Sequence, residues 1–219
     1  MFITILKTGK PIYTSRNYKL WYNHIRTMSS SAVKPNVDEN LVWIDMEMTG
    51  LDLSIHRIIE VACIITDGQL NVIAEFPSLV INEPEEVLAK MNEWCVVNHA
   101  KTGLTEEVRK SKITLEEAET KLYNFISQHV PPGKCQLAGN SVYMDRLFIK
   151  QFMPRIDGHL HYRIVDVSAV KELCRRWYPS AYERMVKNKL LAHRAFADIK
   201  NSIEELKYYR STIFKESLS

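Results

Sequence analysis

The chain has 219 residues, enough for one domain with a substantial core, or one domain with an appendage. Its 46% hydrophobic and 25% charged content is ordinary for a globular protein, and no apolar run reaches the length of a bilayer span. The formal charge of +3 is unevenly spread: residues 1–37 carry Lys7, Lys10, Arg16, Lys19, Arg26 and Lys34 and no acid, so residues 38–219 set 23 basic against 26 acidic side chains. A mildly acidic body argues against a broad electrostatic track for long duplex nucleic acid, and leaves room for a short anionic substrate held locally.

The basic, hydroxyl-bearing leader over 1–37 has the composition of a mitochondrial transit peptide. A disordered basic tail, or untranslated sequence read as coding, is the alternative. Initiation at Met28 would give a leaderless form and a cytoplasmic or nuclear pool. The folded domain is expected over 38–215, with a short tail at 216–219.

"LVWIDMEM" predicts a strand over about 41–48. "HRIIEVACIITD" (56–67) and "NVIAEFPSLVI" (71–81) read as two further strands joined in a hairpin at Gly68-Gln69. Residues 84–110 read as short helices broken near Gly103. Thr114 opens a helix with Leu115, Ala118, Leu122, Phe125 and Ile126 on one stripe, stopped by Pro131-Pro132-Gly133. "KCQLAG" is a short strand, and Asn140 or Ser141 is placed to cap the next helix, to about Met153. "HYRIVDV" (161–167) is a further strand. Ser168 starts a helix ending at Tyr178-Pro179, and a last helix runs from about Arg194 to Tyr209. Three strands followed by alternating helices and strands predict an α/β domain, a mixed central sheet flanked by helices.

Asp45 and Glu47 face the same way at the end of the first strand, about 7 Å apart. Three readings stand open: a solvated strand edge, a carboxyl that takes up a proton, or a divalent cation that neutralises both. Asp145 lies on the apolar stripe of Phe148 and Phe152, an expensive place unless paired by a buried Arg or Lys, or otherwise used. Asp198 flanks the stripe of the last helix, and His193 precedes it by five residues. Four carboxylates on three elements, with an imidazole that titrates near neutrality, fit two-metal hydrolysis of a phosphodiester.

"DMEMTGLD", "LAGNSVYMD" and "HRAFADI", in this order, resemble the DEDDh 3′–5′ exonucleases of the RNase H-like superfamily. "MNEWCVVNHAKTGL" and "HYRIVDVSAVKELCRRWYP" are similar to the oligoribonuclease branch, which degrades very short RNA. The resemblance covers about residues 41–215. It implies that Asp45, Glu47, Asp145 and Asp198 hold two Mg²⁺ or Mn²⁺ ions. His193 would be the general base for in-line attack by water, releasing nucleoside 5′-monophosphates. It further implies that Leu51 and Trp94 sandwich bases, and that Ser141, Arg163 and Ser168 cap the 5′ phosphate. Tyr162 would reach across a homodimer interface. Without the resemblance, Trp94 reads as a core aromatic and Arg163 as a salt-bridge partner. Ala197 departs from the pattern, standing before Asp198 where relatives often carry another acid. Two alternatives remain: a DEDDh exonuclease trimming DNA or longer RNA, and an inactive RNA-binding or scaffold protein on the same fold.

His159 and His161 form H-x-H on a predicted strand face, with no third ligand near, so packing is the better reading than zinc. Cys63, Cys95, Cys135 and Cys174 are widely spaced and read as buried free thiols. The basic, aromatic "CRRWYP" reads as helix packing and surface charge.

Overall fold

A computed structural model describes residues 36–187 and 193–215. The leader through residue 35 and the tail at 216–219 lie outside the described residues. Among the described residues no helix is long and apolar enough to cross a membrane.

Strands β1 (Leu41–Met48), β2 (Ile58–Thr66) and β3 (Val72–Val80) form an antiparallel meander. The hairpin between β2 and β3 turns at Gly68-Gln69, as the sequence predicts; Asp67 Oδ1 accepts from the Gln69 and Asn71 amides. Three short helices follow, α1 (Glu85–Leu88), α2 (Glu93–Lys101) and α3 (Leu104–Lys110), with Gly103 left-handed at φ 78° between the last two. Helix α4 (Leu115–His129) opens on a capping box between Thr114 and Glu117. Then come β4 (Gln136–Gly139), α5 (Tyr143–Phe152), α6 (Pro154–His159), β5 (Ile164–Asp166), α7 (Val167–Trp177), α8 (Pro179–Lys187) and α9 (Ala195–Thr212).

The sheet order is β3-β2-β1-β4-β5, with β4 and β5 parallel to β1. The mixed sheet flanked by helices is the RNase H-like α/β fold. Strand alternation divides the core in two. Val42, Ile44 and Met46 pack with Leu122, Ile126 and Phe148 of α4 and α5 on one face. Trp43, Ala62 and Ile64 pack with Cys174 of α7 and Ile199, Ile203 and Tyr209 of α9 on the other. The four cysteines are buried and free.

Four local expectations are corrected. The helix after β4 is not capped by Asn140 or Ser141: its N-cap is Val142, without a side-chain bond, because those two polar side chains meet Ser168 at the start of α7 instead. The strand expected over 161–167 shrinks to β5. His159 ends helix α6, and its Nε2 donates to the Val130 carbonyl at 3.0 Å, so H-x-H is not a strand pair. The helix expected to start at Ser168 starts one residue earlier, capped by the Asp166 side chain. Helices α6 and α8 fill stretches that carried no predicted element.

Candidate active site

The site begins where β1 outruns its neighbour. Parallel pairing with β4 ends at Trp43↔Ala138, and β4 itself ends at Gly139. Beyond that point β1 pairs with β2 alone, through Asp45↔Ala62 and Glu47↔Glu60. The strand is central, yet its last turn has an open side, so neither a solvated edge nor full enclosure describes it. Asp45 and Glu47 share the face of Trp43, and Met46 turns to the opposite core, where it is buried. The amide of Met46, left without a strand partner, donates to Asp145 Oδ1 at 3.1 Å. That contact explains the acid on the apolar stripe of α5: its partner is a backbone N–H, not a buried Arg or Lys.

Helix α9 lies over the Trp43 face and delivers the third acid. One carboxylate oxygen each from Asp45, Glu47 and Asp198 lies within 4.8 Å of the others. Asp145 stands beside this trio rather than in it, close enough that its charge raises the Asp45 carboxyl. Burial, then repulsion from Asp145, Glu47 and Asp198, pushes Asp45 well above the usual carboxylate range. Burial, then repulsion from Glu60 and Asp198, pushes Glu47 up to about 8. Burial also pushes Asp145 up to about 8, against the lowering effect of its own amide and that of Met46. Oxygen donors of one charge, crowded and desolvated, suit a hard divalent cation. The donor set fits the metal-binding expectation.

Glu47 and Leu51 border a cavity of about 440 Å³, shared with Gly50, Trp94, Cys95 and His99. Leu51 and Trp94 are 62% and 55% exposed, so Trp94 is a wall of the cleft and not a core aromatic. Gly50 makes the turn that carries Leu51. Its φ is 153°, and a Cβ there would overlap the buried His56 ring. The His193 and Trp94 rings meet at nearly a right angle, with centroids 5.6 Å apart, which places the imidazole beside a wall of the same cleft.

The remaining expected residues fall into two groups. Ser141 and Ser168 meet: their hydroxyl oxygens are 3.1 Å apart, and Ser168 Oγ donates to Asn140 Oδ1 at 3.1 Å. The Ser141 amide already donates to Asp166 Oδ1 and Ser168 Oγ, and the Ser168 hydroxyl hydrogen goes to Asn140, so the Ser141 hydroxyl hydrogen is what this pair offers a phosphate unless Ser168 turns from Asn140. Tyr162 and Arg163 precede β5, whereas Ser168 follows it. Tyr162 is 73% exposed, stacked on His161, with the Arg163 guanidinium 5.4 Å from its ring centroid.

Three residues near the acids carried no prediction. His99 is buried; its Nε2 donates to the Met48 carbonyl at 2.9 Å, leaving Nδ1 as an acceptor 3.9 Å from Glu47 Oε2. Burial holds its pKa below the usual histidine value, so that contact is not an ion pair. Glu60 is fully buried opposite Glu47, and Arg194 binds it. An acid inside the apolar run "HRIIEVACII" was the available signal for Glu60. Nothing local marked Arg194 as its partner.

Comparison with known proteins agrees with this geometry. The family model described as Exonuclease (RNase_T) matches residues 42–206. "Oligoribonuclease, mitochondrial" of Homo sapiens is 50% identical over 190 residues, 87% of this chain and 80% of the relative. "Probable oligoribonuclease" of Dictyostelium discoideum is 55% identical over 177 residues, 81% of this chain and 92% of the relative. "Oligoribonuclease" of Vibrio cholerae is 48% identical over 178 residues, 81% and 97% respectively. Among solved structures, exonuclease I of Methylocaldum szegediense superposes with a TM-score of 0.61 at 21% identity, over 80% of this chain and 41% of that one. Exonuclease I of E. coli in complex with a dA16 oligonucleotide gives a TM-score of 0.59 at 18% identity, over 79% and 41%. The chain therefore spans about two fifths of the exonuclease I chains, and these two likenesses speak to fold alone.

Proposed function

The chain belongs to the oligoribonuclease family of exonucleases and is a 3′–5′ exoribonuclease of short oligoribonucleotides; on that premise we propose how its cleft works. Asp45, Glu47, Asp145 and Asp198 hold divalent cations, two Mg²⁺ or Mn²⁺ ions. When bound, such ions neutralise charge at the scissile phosphate and lower the pKa of the attacking water. The chain's own part is to hold four carboxylates where each repels the next, so that cations are preferred to protons. His193 accepts the proton of the attacking water at a ring nitrogen, which requires a neutral imidazole and makes activity fall at low pH. The product is a nucleoside 5′-monophosphate.

Leu51 and Trp94 take the bases by apolar contact and stacking, which every base tolerates. The hydroxyls of Ser141 and Ser168, joined by Arg163, bind the 5′ phosphate and close the site behind the second nucleotide. Dinucleotides are then the preferred substrate. In a homodimer Tyr162 would reach the partner's cleft. The human relative's name and the basic, acid-free leader together support a mitochondrial enzyme, in the matrix or intermembrane space.

The observation that carries this reading is the trio of Asp45, Glu47 and Asp198 oxygens beside a cavity walled by Leu51 and Trp94. The test is digestion of a length series of RNA by protein lacking residues 1–37, with Mg²⁺, Mn²⁺ or chelator. Turnover should peak at dinucleotides and vanish with chelator. Rates that rise with length, or are higher on DNA, would favour a trimming exonuclease instead. Trp94→Ala should raise KM for a dinucleotide by roughly 10- to 100-fold, the loss of one stacked base.

A further inference from the structure

Helix α9 starts without a local side-chain cap, and it starts under load. His193, just before it, is left-handed at φ 47°, a conformation that costs a non-glycine residue free energy and must be held by its surroundings. The next residue supplies the hold. Arg194 Nε donates to both Glu60 oxygens at 3.2 and 3.3 Å, and its Nη2 to Glu60 Oε1 at 3.0 Å. Its Nη1 and Nη2 also donate to Glu107 on α3, at 3.1 and 2.8 Å. One guanidinium therefore ties the start of α9 to β2 and α3 at once.

The same contact sets the helix end. Glu60 Oε2 accepts the Ala195 amide at 3.3 Å, so a carboxylate from β2 caps α9 and sits at the positive end of its dipole. The Arg194 amide donates to Asp198 Oδ2 at 3.1 Å, turning that carboxylate toward Asp45 and Glu47. Glu60 is fully buried and faces Glu47 across the strand pair. Without the guanidinium its charge would face Glu47 with only the Ala195 amide to answer it.

We propose that Arg194 is a positioning residue for hydrolysis: by clasping Glu60 and Glu107 it fixes the turn that presents His193 and orients Asp198. The inference rests on the proposed roles of His193 and Asp198. Lysine cannot replace it, because a point charge lacks the planar fork that reaches two carboxylates. A misplacement of about 1 Å at a catalytic group costs on the order of 10²-fold in rate. Such a loss belongs to kcat, since Leu51 and Trp94 still bind the bases.

The experiment measures kcat and KM for a dinucleotide in the unmutated protein, Arg194→Ala, Arg194→Lys and Glu107→Gln. Arg194→Ala should lose about 100-fold in kcat with KM within about threefold, and millimolar guanidinium should restore part of the loss. Arg194→Lys should stay impaired. Glu107→Gln removes the charge of a half-exposed partner, where substitutions cost the fold little; it should lower kcat severalfold at unchanged KM. The inference is overturned by kcat within threefold of normal in Arg194→Ala, by a loss carried in KM, or, where Arg194→Ala does not fold, by unchanged kcat in both other variants. An unmutated protein inert on dinucleotides would instead overturn the function proposed above.

Discussion

The sheet buries carboxylates in two ways. Glu60 and Glu205 are both fully buried, and both are answered by a cation: Arg194 for Glu60, and Lys171 Nζ at 3.2 Å for Glu205. Glu205 also accepts from Tyr209 Oη and Asn140 Nδ2. Asp45, Glu47 and Asp145 have no cation bonded to them among the described residues; burial raises all three, and neighbouring carboxylates add to it: Asp145, Glu47 and Asp198 on Asp45, Glu60 and Asp198 on Glu47, and Glu47 on Asp145. A carboxylate met by Arg or Lys has its charge settled within the chain. Carboxylates left facing each other reserve their charge for something that arrives later.

The strongest way to break this contrast is to remove one unanswered acid. Asp45→Asn should lower dinucleotide turnover ~10³-fold or more, the several kcal/mol that metal assistance supplies. In chelator the same variant should melt higher than the unmutated protein, because one member of a repelling group is gone. A variant that lost activity and also melted lower would mean the acids support the fold, against the contrast.

The opposite result is expected at the answered site. Lys171→Met deprives buried Glu205 of its lysine and should cost about 3 kcal/mol, lowering the melting temperature by roughly 2–4 °C for each kcal/mol. Its response to added Mg²⁺ or Mn²⁺ should match that of the unmutated protein. Loss of that response would merge the two regions into one.

The contrast also has a signature in the pH dependence of the metal-free fold. Burial and neighbouring charge push Glu47 and Asp145 up to about 8 in the folded chain, well above the ordinary carboxylate range. Raised carboxyls keep protons that the unfolded chain has already released, so stability falls as pH rises from about 4 to 8. Melting in chelator should therefore drop by several degrees over that window. Saturating Mg²⁺ should flatten the curve, since the cation takes the place of the protons. A flat curve without metal would show that the acids are not in conflict.

Much of this was legible beforehand for physical reasons. β1 to β3 announce themselves by apolar runs and a turn, and α4 by its stripe and capping box. The acids of the cleft were legible as misfits: Asp145 on an apolar stripe, Asp45 and Glu47 at the end of a buried strand. Residues whose meaning depends on a distant partner were not legible. Glu60 and Arg194 are 134 positions apart, and no local pattern joins them. His99 takes its role from the Met48 carbonyl, which the helix α2 sequence does not encode. Asn140 and Ser141 looked like a cap because their side chains suit one, but tertiary contacts with α7 claimed them first.

The bond between the Met46 amide and Asp145 gives the site a built-in reporter. Amides that pair β1 with β2 or β4 have chemical shifts and exchange rates that follow the stability of the sheet. The Met46 amide bonds to a side chain whose charge state changes when the cleft is filled. Its NMR signal should therefore move on proton release or cation binding while the rest of the strand stays still. At fixed pH, one backbone position would then report cation occupancy of the site before any substrate is added.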